Sequence, residues 1–155
     1  MILSKTPLRM SFVGGGSDLP AYYEKQRGAV LSSSIDKYMY ISTHAFFEKD
    51  KIRCKYSQTE TVDDVRNLQH PILRTVLKDF NLNGFEVSSI ADIPGGTGMG
   101  SSSSFTVGLL HNLSTYTRRS YGKKELGAGA CRVEIDLLKE PIGKQDQYAA
   151  AFGGL

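Results

Sequence analysis

The sequence predicts an α+β fold, in which strands and helices mix without strict βα alternation. Three observations carry this reading. Leu8, Met10 and Phe12 alternate with Arg9, Ser11 and Val13, the period of a strand. From Leu68, apolar residues recur at Ile72, Leu73, Val76, Leu77 and Phe80, the spacing of an amphipathic helix. Between a strand and a helix lies Pro94-Gly95-Gly96-Thr97-Gly98-Met99-Gly100-Ser101-Ser102-Ser103-Ser104. At 155 residues the chain has the length of one domain.

In order along the chain, the first strand runs into Gly14-Gly15-Gly16-Ser17-Asp18, and Ser17 or Asp18 is placed to cap a short helix from Leu19 to Lys25. Strands at about Ala29 to Ser34 and Tyr38 to Thr43 flank Asp36-Lys37 and predict a hairpin. Charged Glu48 to Lys55 predicts a turn. The helix ending at Phe80 tolerates Pro71 in its first turn, and Asn83-Gly84 closes it. Phe85 and Val87 open a strand reaching Asp92, and Phe105, Leu109, Leu110 and Leu113 mark a helix capped by serine. Leu126, Ala130, Val133 and Leu137 carry a last helix, ended by Pro141.

Composition narrows the functional classes. Lys plus Arg is 19 and Asp plus Glu 16, and the resulting +3 is far from the basic excess of a dedicated nucleic-acid binder. No stretch approaches the length of a membrane span, and no apolar run follows a basic start as in a secretory signal, so a cytoplasmic compartment and no membrane partner are expected. Cys54 and Cys131 form no redox or metal spacing and read as reduced and buried. His44, His70 and His111 are isolated, so no nitrogen- or sulfur-ligated metal is expected.

A strand, a glycine-rich loop and a helix start gather backbone N–H groups where a phosphate can sit. Ser101 follows Gly100 where a Walker A loop needs lysine, and Gly96, Gly98 and Gly100 do not complete a dinucleotide fingerprint. One serine suffices for a cap; a second hydroxyl can ligate Mg²⁺ beside substrate phosphates. Ser34-Ile35-Asp36-Lys37 lacks the companion motifs of penicillin-recognising enzymes, and Gly15-Gly16-Ser17-Asp18-Leu19 lacks the closing glycine of a nucleophile elbow. Glu134 falls on or beside the apolar stripe of the last helix, where a carboxylate either reaches solvent at the edge or needs a cation or donor. Asp146, between a glycine loop and Ala149 to Ala151, reads by itself as a helix cap.

Together these segments resemble the GHMP small-molecule kinases, the family of galactokinase, homoserine kinase and mevalonate kinase. Thr6-Pro7-Leu8-Arg9 through Gly14-Gly15-Gly16-Ser17-Asp18 is similar to the family's first motif. Pro94 through Ser104 is similar to its phosphate-binding second motif, with Met99 in place of leucine and Ser103-Ser104 in place of alanines. Gln145-Asp146-Gln147-Tyr148 and the following residues resemble the sugar-1-kinase branch, which holds heptose 7-phosphate and fucose kinases; one extra residue separates Gly143 from Asp146.

The resemblance implies a ribosomal protein S5-like N-terminal domain over residues 1–155 and transfer of the ATP γ-phosphoryl group to a sugar hydroxyl, the anomeric hydroxyl of a heptose 7-phosphate. It implies Asp146 and Arg9 as catalytic residues and Pro94, Gly95, Gly96, Thr97, Gly98, Met99, Gly100, Ser101, Ser102 and Ser103 as the phosphate cradle. Gly15, Gly16, Ser17 and Asp18 would bind the sugar, and Ser102 and Glu134 would hold Mg²⁺. The family's third motif belongs to a C-terminal domain not seen in this sequence, so the resemblance implies a truncated chain. Such a chain is expected to expose an apolar face or to self-associate, with little activity alone. A non-catalytic nucleotide- or sugar-binding module of the same fold, and a fucose kinase, stay open as alternatives.

Overall fold

Five strands form one sheet in the order β1-β2-β5-β3-β4 in the computed structural model, which describes residues 1–155. They are β1 (Ile2–Val13), β2 (Leu31–Ala45), β3 (Ile52–Lys55), β4 (Thr59–Val62) and β5 (Phe85–Ala91). All neighbours run antiparallel except β3 and β5, which are parallel. The helices are α1 (Pro20–Tyr23), α2 (Pro71–Phe80), α3 (Ser101–Tyr116), α4 (Lys123–Cys131) and α5 (Gln145–Phe152). A 3₁₀ turn covers Val65–Asn67. The mixed sheet with its helices is the expected α+β class.

The amphipathic helix forms as its spacing predicts: Ile72, Leu73, Val76, Leu77 and Phe80 are all buried, and Pro71 occupies the first turn. Asn81, left-handed at φ 49°, closes it, two residues before the expected Asn83-Gly84 stop. Leu8, Ile41, Ile52, Cys54, Phe85 and Val87 join this helix and Leu109 and Leu113 of α3 in one core. Helix α3 is also bound to the sheet by polar groups: Asn112 Nδ2 donates to the Ile41 carbonyl at 2.7 Å, and Ser4 Oγ to the Gly108 carbonyl at 3.1 Å. Both cysteines are free and buried, and burial pushes the Cys54 thiol up to about 12.

Several sequence expectations need correction. The turn expected over Glu48 to Lys55 gives way at Ile52 to strand β3, whose Ile52 and Cys54 are buried. The predicted hairpin at Asp36-Lys37 is one continuous strand, β2. Pro7 pairs with Tyr38 while Arg9 pairs with Ser34, so the polar dipeptide lies in a bulge opposite Leu8 rather than in a turn. Alternation in β1 buries Ser4, Thr6 and Leu8 but leaves Met10 45% and Phe12 60% exposed, because the strand continues past the helices that cover its first half. The first helix is only Pro20–Tyr23, with Leu19 at its N-cap position and no side-chain cap; Ser17 and Asp18 bond elsewhere. The N-cap of α3 is Gly100 at φ 72°, not a serine.

The last predicted helix is divided. After α4 the chain widens into a π-helical turn over Arg132–Leu137, in which the Leu138 N–H reaches the Val133 carbonyl at 3.0 Å. Glu134 is fully buried there, whereas Leu137 is 46% exposed.

Candidate active site

The N-terminal half of β1 is held in the core through Leu8, and the next residue, Arg9, leaves it toward two other segments. Its N–H donates to the Met99 carbonyl at 3.1 Å, and Nη1 to the Gly98 carbonyl at 2.7 Å, so one residue ties the glycine loop to the strand. The same guanidinium reaches Asp146 at the start of α5, with Nε at 2.7 Å and Nη2 at 2.6 Å from Oδ1. Both contacts fall on one carboxylate oxygen. Oδ2 has no hydrogen-bond partner and lies beside Gly100, where an added Cβ would stand 3.3 Å away.

The loop itself is backbone. Gly96, Gly98 and Gly100 have φ of 81°, 73° and 72°, a region that costs other residues about 1–2 kcal/mol each. Thr97 folds back so that Oγ1 donates to the Pro94 carbonyl at 3.4 Å, and space is open around Gly95, Gly96 and Gly98. Beyond the loop, Pro94, Gly95, Gly96, Ser101 and Ser102 form one side of a cavity of about 550 Å³. Met39, Tyr56, His70 and Phe105 are on its other walls. The His70 ring lies between Tyr56 and Phe105, with centroids 4.8 and 5.2 Å away, and burial lowers its pKa. A cavity with aromatic walls and a glycine-rich lip has the size and chemistry of a small-ligand site.

Behind the loop, the serine run, in which the sequence offered one cap and a metal-ligating hydroxyl at Ser102, has another acceptor. Ser102 Oγ and Thr106 Oγ1 donate to Glu134 Oε1 at 3.0 and 2.9 Å; Ser103 Oγ and Gln147 Nε2 donate to Oε2 at 2.8 and 2.6 Å. Ser104 Oγ donates to the Pro7 carbonyl at 2.7 Å. The buried carboxylate therefore joins α3, the π-helical turn and α5. Of these partners, Thr106 and Gln147 were missed from the sequence. Thr106 stands four residues after Ser102, on the same helix face, and that spacing was the available signal.

Gly15, Gly16, Ser17 and Asp18 form a separate bend against α5. Asp18 Oδ1 accepts from the Gly16 N–H at 3.0 Å, and Oδ2 from the Gln145 N–H at 3.1 Å, so Asp18 caps α5 from another segment. Ser11 Oγ donates to Gln145 Oε1, and Ser17 Oγ to the Gly14 carbonyl at 2.7 Å. Asp18 and Asp146 line one small cavity of about 180 Å³. Its wall at residue 143 requires glycine, because a Cβ there would collide with the Asp18 carboxylate. The residues singled out in the sequence thus meet in two adjoining groups, one on each side of Arg9 and Asp146.

This fold and loop define a kinase class, and comparison with known proteins gives it a name. The chain belongs to the GHMP kinases: the family's "GHMP kinases N terminal domain" matches residues 67–154. The chain is 30% identical to a D-glycero-alpha-D-manno-heptose 7-phosphate kinase of Campylobacter jejuni, across 99% of this chain and 49% of that protein. It is 23% identical to a galactokinase of Thermotoga petrophila, across 96% of this chain and 43% of that protein. A crystal structure of a D-glycero-D-manno-heptose 1-phosphate kinase from Bacteroides thetaiotaomicron superposes with a TM-score of 0.89 at 28% identity, over 99% of this chain and 54% of the other. The chain spans about half the length of the curated relatives it matches. The fold is that of the N-terminal domain of the family, and no helix is long and apolar enough to cross a membrane.

Proposed function

We propose that these residues form the nucleotide-binding part of a sugar kinase that transfers the γ-phosphoryl group of ATP to the anomeric hydroxyl of heptose 7-phosphate. The observation that carries the reading is Asp146: Arg9 occupies its Oδ1, while Oδ2 stays free beside Gly100 and borders the cavity it shares with Asp18. In that arrangement Oδ2 accepts the proton of the sugar hydroxyl as its oxygen bonds to the γ-phosphorus and the bond from phosphorus to the β–γ bridging oxygen breaks, releasing ADP. Phosphoryl transfer proceeds through a loose transition state, so orientation by Asp146 matters more than early proton removal. Arg9 balances the charge of Asp146 and the charge that grows on the phosphoryl group.

The backbone from Pro94 to Ser103 receives the phosphates, and the 550 Å³ cavity with Tyr56, His70 and Phe105 takes the nucleoside. Glu134 and Ser102 fit Mg²⁺: both are oxygen donors, and Glu134 is a fully buried carboxylate met only by neutral hydroxyl and amide donors. When bound, Mg²⁺ would neutralise phosphate charge at the start of α3. Asp18 fixes the α5 N-terminus and borders the sugar.

Incubation of the full chain with ATP, Mg²⁺ and a panel of heptose 7-phosphate, fucose, galactose and mevalonate tests the reading, with products followed by ³¹P NMR. A new anomeric phosphate on heptose 7-phosphate, formed slowly by this chain alone, is the expected product. Turnover of fucose or galactose in its place would move the substrate assignment, and saturable nucleotide binding without any transfer would favour a non-catalytic module.

A further inference from the structure

A second cavity, of about 310 Å³, adjoins the small one at Asp146 and shares Asp18 and Gln145 as walls. Its other walls include Tyr23, Val30, Lys144 and Tyr148. Lys144 and Asp146 are two residues apart at the start of α5, and residues at that spacing point to different sides of a helix. Asp146 faces the glycine loop through Arg9, and Lys144 faces α1, its Nζ 4.2 Å from the centre of the Tyr23 ring. The two cavities therefore lie side by side across Asp18 and Gln145.

The polar groups of the second cavity are nearly all engaged. Ser17 Oγ bonds to Gly14 and Ala29, and both Asp18 oxygens accept backbone N–H groups. Lys144 makes no ion pair with any carboxylate. Tyr23 raises its pKa further above the usual lysine value, and the side chain is exposed at the rim of the cavity, where a phosphate can reach it. An elongated substrate that places its reacting hydroxyl at Asp146 therefore meets a single free cation at its far end.

We propose that Lys144 binds the phosphate at the end of the sugar remote from the reacting hydroxyl, and so selects a phosphorylated sugar over its unphosphorylated counterpart. This rests on the sugar-kinase reading above. Ala29, Val30 and Tyr148 take the carbon-bound face of the sugar, and the Lys144–Tyr23 contact keeps the ammonium over the cavity.

The test measures Kd by calorimetry and kcat/KM for heptose 7-phosphate and for free heptose, on the full chain, in wild type, Lys144→Met and Lys144→Arg. Methionine keeps the length of the side chain and removes the charge. The expected result is a fall of about 10- to 100-fold in the preference for the phosphorylated sugar in Lys144→Met, with most of that preference kept in Lys144→Arg. An unchanged preference in Lys144→Met, with or without a lower melting temperature, overturns the assignment and reduces Lys144 to a clamp on Tyr23. No preference in the wild type overturns the heptose-phosphate substrate itself, and the role of Lys144 with it. Inorganic phosphate, titrated alone, is expected to bind far more weakly than the sugar phosphate; equal affinity would overturn the proposal by assigning the pocket to a free anion.

Discussion

Two carboxylates lie on either side of the glycine loop in opposite conditions. Asp146 keeps one oxygen free at the edge of a cavity and has a cation on the other. Glu134 has no exposed surface and two donors on each oxygen. The first arrangement leaves an oxygen open at a cavity, whereas the second joins three segments through neutral donors only, a set that a cation can rearrange. An open oxygen and a fully bonded carboxylate thus fall to different acids, and substitutions at the two should fail in different ways.

Asp146→Asn should give the largest effect: a fall in kcat of roughly 10²–10⁴-fold with nucleotide affinity retained, read by steady-state kinetics and ADP calorimetry. Equal damage to stability and turnover would break the contrast. Glu134→Ala should instead act first on folding, by about 3 kcal/mol in denaturant titrations, because four donors lose a charged acceptor in the interior. It should also weaken Mg²⁺-dependent nucleotide binding in whatever fraction stays folded. Gly98→Ala should cost about 1–2 kcal/mol through backbone strain alone, since φ is 73° and no atom lies within 4 Å of the added methyl.

The smallest effect is expected at the rim of the 550 Å³ cavity. Burial pushes the Glu60 carboxyl up, but hydrogen bonds from the Gln69 N–H, the Tyr56 hydroxyl and the His70 N–H outweigh it and leave its pKa below the usual value. A lowered folded-state pKa gives stability that is complete above the unfolded carboxyl value of about 4.3 and is lost as pH falls through the folded one. The stability gap between wild type and Glu60→Gln, measured by thermal melts, should therefore be full near neutrality and close on acidification below about pH 4. A gap that widens in acid would reverse the assignment.

The sequence showed the elements whose cues are local. Helix α2 was legible because its apolar stripe is buried as written, and the α3 loop because no ordinary turn needs so many glycines and serines. Asp36-Lys37 misled because its polarity suits a bulge as well as a turn, and only pairing with β1, far away in the chain, decides between them. The serine run misled in part: its hydroxyls serve an acid some thirty residues later, and a glycine occupies the cap. The Tyr56–His70–Phe105 wall left no sequence signal, since the end of β3, the N-cap of α2 and the N-terminal part of α3 meet there only through the sheet order.

The π-helical turn at Arg132–Leu137 changes the phase of the chain. Each residue of an α-helix turns it by about 100°, so the wider turn delays the rotation by roughly one residue's share. It brings Glu134 inward and carries Leu137 out toward solvent. A one-residue deletion ahead of Glu134 would restore a regular helix and turn its carboxylate away from Ser102, Ser103, Thr106 and Gln147, with all four of those side chains still present. The joining of α3 to α5 through Glu134 is therefore sensitive to the number of residues here as well as to their kind. An insertion or deletion in this stretch should silence the site where many exchanges of one surface side chain for another would pass unnoticed.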